Sequence, residues 1–200
     1  VFTHSLMLYP KLSSKRIILA SKSPRRLELV RGLEIEPEVV IREVDESYPS
    51  SITGPEVAEF VTLAKASAFK DILGPDDVII TGDTIVLLDG KVLEKPQDKA
   101  EATYMLKQLS GRTHTVASGI AVTTLEGGTI CKVDTCEVTF NDLSSEMISH
   151  YIDKYKPYDK AGGYGVQDLI GFVGVNEIKG SFYTVMGLPV HLLHEMLLEV

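Results

Sequence analysis

Near its N-terminus the chain passes directly from a buried strand into a helix, and this junction constrains the fold more than any other feature. The apolar run Ile17–Ala20 is short and bounded by polar residues, which is typical of a buried strand. Ser23 can cap a helix, and Pro24 suits the first helical position, where no backbone N–H is lost. The sequence therefore predicts a strand over 17–21 followed by a helix over 24–32.

Two arginines fall in the first turn of this helix, where they oppose the helix dipole. The N-terminal end of the dipole favours negative charge, so Arg25 and Arg26 are unfavourably placed unless an anion binds there. Free backbone N–H groups, the hydroxyls of Ser21 and Ser23 and two guanidinium groups together suit a phosphate. The segment 21–26 thus predicts an anion site, with a basic surface turn as the alternative.

Strands and helices continue to alternate along the rest of the chain. Apolar patterning, caps and turn residues predict strands over 39–44, 78–88, 113–125, 129–140 and 172–178, and helices over 53–73, 98–111, 144–155 and 188–198. No linker or repeat divides them. We expect a single α/β domain over 15–200, with a mixed, curved sheet and flanking helices, and an N-terminal extension over 1–14. The hairpin over 113–140 either bends the sheet or forms a second lobe.

The acidic composition narrows the classes of partner. The 200 residues carry a net charge of −8, so nucleic-acid binding, for which basic surface dominates affinity, is not expected. No apolar run approaches the ~18 residues of a membrane span. Residues 1–8 lack a charged start and a cleavage site, which argues against a signal peptide, and Met7 is a possible natural start. Cys131 and Cys136 have no metal-ligand spacing, so a reduced, cytoplasmic setting is expected.

Asp83 and Thr84 interrupt a strand that is otherwise apolar. A carboxylate in such a strand is costly to bury unless it is paired or functional, and Gly82 beside it allows another group to approach the backbone closely. The following hairpin is predicted to bring Lys95 back to the level of Asp83. The alternatives are an Asp that satisfies a nearby loop and a solvated lysine.

Two further elements carry weaker signals. Lys65 lies among small residues on a predicted helix and can approach a cleft, although a surface lysine is the commoner case. Asp45 and Glu46 end the predicted second strand and can supply oxygen ligands to a divalent cation, although acidic pairs at strand ends are common. His114 is expected to be a half-buried strand histidine rather than a catalyst.

A glycine-rich loop over 159–167 is the last candidate ligand-binding segment. Its three glycines allow close approach of the backbone to a ligand. Tyr164 can pack on a base or on protein, and the Gln167 amide both donates and accepts, so it can recognise a pyrimidine edge. A mobile turn is the alternative.

Taken together, these motifs resemble the Maf family of nucleotide pyrophosphatases. The resemblance spans Ile17 to Leu193 and comprises eight motifs in order, which read LASKSPRR, VDE, LAKA, GDTIV, EKP, LSGRTH, YDKAGGYGVQ and GLP. The loop from Tyr164 to Gln167 looks like the branch selective for dTTP and UTP. Thr184 stands where the family often has asparagine.

The resemblance implies a fold, an activity and a set of site residues. The fold would be an elongated α/β structure related to inosine triphosphate pyrophosphatases, with two lobes around a cleft. The activity would be hydrolysis of a nucleoside triphosphate to the monophosphate and pyrophosphate, with Asp83 as the proton acceptor and a divalent cation, Mg²⁺ or Mn²⁺, near Asp83 and Glu46. The residues matching substrate-binding positions are Ser21, Arg25, Arg26, Lys65, Thr84, Lys95 and Gln167.

A different class of function stays open at this point. Maf proteins are also associated with septum formation, so the chain could bind nucleotide and act as a regulator through a protein partner. A carboxylate placed to activate water favours the enzyme, because binding alone does not need one. A homodimer is possible in either case.

Overall fold

The computed structural model describes residues 8–200, and a single seven-stranded sheet forms its centre. The strands are β1 (Arg16–Leu19), β2 (Glu38–Val39), β3 (Asp77–Leu88), β4 (Lys91–Leu93), β5 (Thr113–Thr124), β6 (Gly128–Phe140) and β7 (Val175–Lys179). The sheet order is β2-β1-β3-β5-β6-β7, with β4 also pairing β3. The β2, β1 and β3 strands are parallel and the other pairs are antiparallel, so the predicted mixed α/β sheet is confirmed.

Helices cover both faces of this sheet. They are α1 (Pro24–Gly32), α2 (Glu56–Ser67), α3 (Lys99–Leu109), α4 (Ser145–Tyr155), α5 (Leu169–Gly174), α6 (Phe182–Met186) and α7 (Val190–Glu199). The Ser23 hydroxyl accepts a hydrogen bond from the Arg26 N–H, and the Asp98 carboxylate accepts one from the Glu101 N–H. Both predicted caps are therefore confirmed, and the strand–helix junction at residue 20 forms as its local sequence requires.

Two short strands, β1 and β4, pair with the same edge of β3 and leave a gap between them. β1 pairs with β3 from Asp77 to Ile80, and β4 pairs with it from Val86 to Leu88. Within the described residues, the strand pairings leave Thr81–Ile85 open on this edge, while β5 pairs with the other edge from Ile79 to Leu87. The opening lies at the carboxyl end of parallel β1, where ligands commonly bind in open α/β sheets.

The two faces of the sheet carry separate cores. Val78, Ile80, Val86 and Leu88 of β3 belong to the large core beneath α3, α4 and α7. The alternate residues, Ile79, Ile85 and Leu87, lie in two smaller clusters with α2 and Phe69. Because side chains alternate along a strand, neighbouring residues of β3 point to opposite faces of the sheet. Side chains from both faces can therefore contact β3 where its edge is open.

Three predicted elements differ from the structure. The strand predicted over 39–44 stops at Val39, because β1 ends at Leu19 and later residues have no strand beside them to pair with. The helix predicted over 53–73 lacks the Thr53 cap and runs only from Glu56 to Ser67; before it, Gly54 has a φ of +60° and forms a turn. The strand predicted over 172–178 begins only at Val175, since the preceding residues form α5.

The hairpin formed by β5 and β6 belongs to the central sheet and builds no separate lobe. Cys131 and Cys136 both lie on β6, the first half-buried and the second buried. Ahead of β1, Tyr9 and Leu12 pack into the large core, and the Tyr9 hydroxyl lies 2.7 Å from His194 Nδ1 of α7. The boundary between 1–14 and 15–200 stays a prediction, and the proposals about residues 1–7 lie outside the described residues.

Candidate active site

The opening in β3 is the floor of a cleft of about 610 Å³. One wall begins at the end of β1 and includes the segment 21–26, and the other includes the loop 159–167. The nine residues that the family resemblance assigns to the site all line this cleft: Ser21, Arg25, Arg26, Glu46, Lys65, Asp83, Thr84, Lys95 and Gln167. Asp45, the other candidate cation ligand, is not among the lining residues, and its carboxylate accepts from the Ser47 N–H at 2.9 Å. The tertiary structure therefore brings together residues separated by up to 146 positions in the chain.

An ammonium group joins the two predicted acidic residues. Lys65 Nζ lies 2.7 Å from Asp83 Oδ1 and 3.0 Å from Glu46 Oε1, and Lys95 Nζ lies 3.7 Å from Glu46 Oε2. Asp83 is 8% exposed, so its carboxylate is buried but paired. Burial alone would raise the pKa of Glu46, but Lys65, Lys95 and Arg26 together hold that pKa below its usual value. Both carboxylates thus face the cleft beside cations.

On the other face of the sheet, the Arg26 side chain connects three parts of the chain: Ser21 after β1, Thr84 on β3 and Gly187 after α6. Its guanidinium donates to the Gly187 carbonyl at 2.8 Å, to Thr84 Oγ1 at 3.1 Å and to Ser21 Oγ at 3.4 Å. Gly82 is required by the packing of β3 on β5, because a Cβ there would lie 2.9 Å from the Gly119 carbonyl oxygen, whereas Arg26 Nε, at 3.7 Å, would be at ordinary contact distance. Burial lowers the pKa of Arg26, and the charge of Asp83 opposes that shift.

The second wall meets the first through an ion pair. Arg25 Nη1 lies 3.0 Å from Asp159 Oδ2, and Lys160 Nζ lies 2.9 Å from Asp159 Oδ1. Burial would raise the pKa of Asp159, but the two cations hold it below its usual value. Lys160 lines the cleft with a side chain only 12% exposed, and the sequence interpretation assigned it no role. A lysine within a glycine-rich loop was the available signal.

Aromatic packing holds the loop 159–167, which the sequence predicts to contact a base. Tyr164 lines the cleft, its hydroxyl lies 2.7 Å from His114 Nε2, and its ring packs against Phe140. Gln167 also lines the cleft, and its Oε1 is buried with no hydrogen-bond partner among the described residues. A buried amide oxygen without a partner is costly, so a donor from a bound ligand would be stabilising there.

Thr184 lies outside the cleft lining. Its hydroxyl donates to Asp134 Oδ2 at 2.5 Å, and its carbonyl accepts from Ser118 Oγ at 2.8 Å. Ser118 Oγ is also 2.8 Å from Thr84 Oγ1, so it links this loop to the cleft floor. Thr184, which stands where the family often has asparagine, is therefore not one of the residues that line the cleft.

The cleft is basic although the whole chain is acidic. Seven lysines and arginines line it, against four aspartates and glutamates, in a protein of net charge −8. Converging cations in a concave site favour a polyanion, since the low-dielectric walls strengthen their combined field. A mixed α/β sheet opening onto a basic cleft, with a paired carboxylate on its floor, defines a protein that binds an anionic ligand beside an acid–base group.

The comparisons with known proteins agree with this class. The family model described as Maf-like protein matches residues 16–200, and the chain belongs to this family. A Bacteroides thetaiotaomicron protein named dTTP/UTP pyrophosphatase is 48% identical over 184 residues, covering 92% of this chain and 95% of that protein. A Parabacteroides distasonis protein of the same name is 46% identical over 187 residues, covering 93% and 96%.

A partial likeness to a solved structure accompanies these matches. The Staphylococcus aureus Ham1 protein superposes with a TM-score of 0.48 and 15% sequence identity, covering 63% of this chain and 72% of that one. Separately, no helix among residues 8–200 has both the length and the apolar character needed to cross a membrane.

Proposed function

We propose that this protein hydrolyses dTTP and UTP to the nucleoside monophosphate and pyrophosphate. The observation that carries the proposal is the paired carboxylate of Asp83 on the floor of a basic cleft, in a chain whose relatives carry the name dTTP/UTP pyrophosphatase. Those names describe an enzyme, so they do not favour the alternative of a regulator without catalysis.

In the proposed reaction, Asp83 orients a water molecule and accepts its proton as the water oxygen bonds to the α-phosphorus. The bond between the α-phosphorus and the bridging oxygen breaks, and pyrophosphate leaves with the electron pair. Arg25, Arg26, Lys65 and Lys95 neutralise the phosphate oxygens, since this chemistry depends chiefly on positioning and charge. Three of the five N–H donors of Arg26 are bonded within the protein, which holds its guanidinium in place.

A divalent cation, Mg²⁺ or Mn²⁺, fits the acidic residues of the cleft. Oxygens of Asp83 and Glu46 lie within 3.0 Å of one atom, Lys65 Nζ, so the two carboxylates can converge on a single cation. The described residues hold no group of three or more His, Cys, Asp or Glu side chains that could form a complete protein cage. Mg²⁺ commonly uses one or two carboxylates with substrate phosphates instead. When bound, such an ion lowers the pKa of a ligated water and neutralises phosphate charge.

Base selection is proposed to come from the loop that carries Gln167. The N3–H of uracil or thymine is a donor that the unpaired Gln167 oxygen can accept, and the amide N–H₂ can donate to a neighbouring carbonyl. Cytosine and adenine carry an acceptor ring nitrogen where uracil has N3–H, so they leave the oxygen unpaired, and a buried polar group without a partner strongly disfavours the wrong substrate. Guanine carries the same donor as uracil, so this hydrogen bond alone does not exclude it.

A panel of nucleoside triphosphates, assayed for pyrophosphate release with and without Mg²⁺ or Mn²⁺, tests the function. We expect cation-dependent turnover with a preference for dTTP and UTP. A preference for ATP or GTP would refute the proposed substrate class, and tight binding without turnover would favour the regulator.

The change Asp83→Asn tests the catalytic assignment. We expect turnover to fall by roughly 10²–10⁴-fold, the usual contribution of a general base, while nucleotide binding persists. Steady-state kinetics report the first effect and titration calorimetry the second. Wild-type turnover in this variant would remove Asp83 from the role.

A further inference from the structure

The hydroxyl of Tyr151 makes two hydrogen bonds to a single turn of the chain. Tyr151 is a fully buried residue of α4, with 0% of its surface exposed. Its hydroxyl accepts from the Gly165 N–H at 3.0 Å and donates to Asp168 Oδ2 at 2.9 Å. Burial, together with the charge of Asp168, raises the pKa of Tyr151 well above its usual value, so the phenol keeps its proton. One buried hydroxyl thus joins the first and last residues of the turn Gly165–Asp168.

The turn is shaped around this contact. The Asp168 N–H donates to the Gly165 carbonyl at 3.0 Å, which closes the turn. Asp168 stands at the N-cap position of α5, yet its side chain makes no capping hydrogen bond and is bound to Tyr151 instead. A Cβ on Gly165 would lie 2.5 Å from Asp168 Oδ2, so a larger residue there would displace the Asp168 carboxylate from its present position.

Gln167 is the third residue of this turn and faces the cleft. Its Oε1 has no hydrogen-bond partner among the described residues, so this oxygen gains no fixed orientation from the protein. The position of the amide relative to a bound base therefore depends on the backbone of the turn. The Tyr151 hydroxyl holds that backbone directly at the Gly165 N–H and, at the other end of the turn, through the Asp168 side chain.

We propose that Tyr151 and Asp168 are positioning residues that set base selectivity by fixing the turn Gly165–Asp168. The proposal rests on the proposed function, since it concerns the base of the same nucleotide. Neither side chain lines the cleft, so neither contacts the ligand directly. Asp168 Oδ2 also lies 3.8 Å from Nζ of Lys160, which lines the cleft, so Tyr151→Phe, which keeps that ion pair, is the cleaner test of the turn.

The change Tyr151→Phe tests the proposal, because it removes the hydroxyl and keeps the ring. We expect the preference for UTP over CTP in kcat/KM to fall about tenfold, the effect of losing a hydrogen bond to a charged group. The loss should appear in KM for UTP, with kcat nearly unchanged. Asp168→Ala should reproduce this result, and Asp168→Asn, which keeps an acceptor, should largely restore selectivity.

Tyr155→Phe is the matched control, because Tyr155 stacks on Tyr151 at 5.1 Å on the same helix. It should leave base preference within about twofold, since the structure gives its hydroxyl no contact with the turn. An equal loss of kcat/KM for every base in Tyr151→Phe would indicate a merely structural role and overturn the proposal.

Two readouts independent of turnover separate this proposal from the proposed function. Calorimetry with non-hydrolysable UTP and CTP analogues should show selective binding by the wild type and weaker selectivity in Tyr151→Phe. Hydrogen exchange should show faster exchange at the Gly165 amide in that variant. If the wild type fails to hydrolyse UTP and dTTP, the proposed function fails, while these measurements still decide the role of Tyr151. If Tyr151→Phe leaves the exchange at the Gly165 amide unchanged, or leaves the binding selectivity unchanged, the proposed role of Tyr151 is contradicted.

Discussion

At the scale of single residues, Lys65 shows how much a sequence signal depends on context. By itself, a lysine among alanines on a helix is more often a surface residue. In the structure its ammonium lies between Asp83 and Glu46, and its side chain is 15% exposed. No local pattern specifies this, because Asp83 and Lys65 are 18 positions apart and meet only when α2 packs on β3. Asp83, by contrast, could be predicted as a candidate site residue, because a carboxylate is rarely buried within an apolar strand unless it is paired.

Lys65 is largely buried in the cleft and Lys95 is exposed, and the separate variants Lys65→Met and Lys95→Met test how much this difference matters for stability. Removing Lys65 leaves Asp83 and Glu46 without their shared cation, so we expect the free energy of unfolding to fall by about 2–3 kcal/mol. Lys95 is 52% exposed and 3.7 Å from its partner, so its replacement should change stability by no more than about 0.5 kcal/mol. Urea denaturation of both variants without ligand measures the effect. Equal stability losses in the two variants would contradict the burial argument.

At the scale of elements, the packing of α2 on β5 sets the distance between Lys65 and Asp83. Gly119 lies opposite Asp83 in the β3–β5 pairing. A Cβ on Gly119 would lie 2.5 Å from Thr62 Oγ1 and 2.7 Å from the Ala58 carbonyl, both on α2. The helix therefore rests directly on the sheet at this position, which the sequence interpretation did not single out.

The change Gly119→Ala is expected to push α2 away from the sheet. The clash involves backbone as well as side-chain atoms, so we expect a loss of about 1–3 kcal/mol or more, together with reduced turnover. Gly32→Ala is the matched control: a Cβ there meets nothing within 4 Å, and the change should alter stability by less than about 1 kcal/mol, in the stabilising direction. Thermal unfolding compares the two. A Gly119→Ala variant as stable as wild type would show that α2 is not in tight contact there.

The strand prediction over 39–44 was wrong because strand formation depends on a pairing partner. Residues 40–44 have β-forming side chains, but extended segments become strands only beside a partner. β1 turns into α1 after residue 20, so the segment that would have extended β2 instead contributes Ile41–Val44 to the cleft. The caps at Ser23 and Asp98 could be predicted, because they depend on neighbours within three residues.

At the scale of the whole molecule, a buried histidine couples the sheet to the cleft. His114 of β5 is 2% exposed, and it contacts Tyr164 of the cleft loop as well as Phe140 of β6. Its Nδ1 has no hydrogen-bond partner among the described residues. Burial lowers the pKa of His114 to about 4. The histidine is thus a neutral part of the core. Its strand position is confirmed, but it is fully buried rather than half-buried, because Tyr164 and Phe140 pack against it.

This burial predicts an acid-sensitive fold. The unfolded chain protonates His114 near pH 6.5, whereas the folded protein does so only near pH 4. Between these values the unfolded state binds more protons, so stability present above pH 6.5 is lost as the pH falls toward 4. The contribution of His114 is at most roughly 3 kcal/mol.

The variant His114→Gln isolates this contribution from that of the carboxylates. It should flatten the dependence of unfolding free energy on pH between 6.5 and 4, whatever its absolute stability. His150→Gln, at an exposed position of α4, is the control and should retain the wild-type slope. Urea denaturation at several pH values gives both slopes, and an unaltered slope in His114→Gln would show that this histidine is not buried neutral.

The sequence by itself determined the α/β class and the strand–helix junction at residue 20, and it predicted residues that the structure brings to one cleft. These follow from local rules, since caps, turns and a charged residue within an apolar strand act over a few positions. Only the tertiary structure decided that β1 and β4 leave β3 open at Asp83, that Lys65 joins two carboxylates, and that Tyr151 holds the turn before α5. Each of these depends on strand pairing or helix packing between distant segments, which side-chain periodicity does not encode.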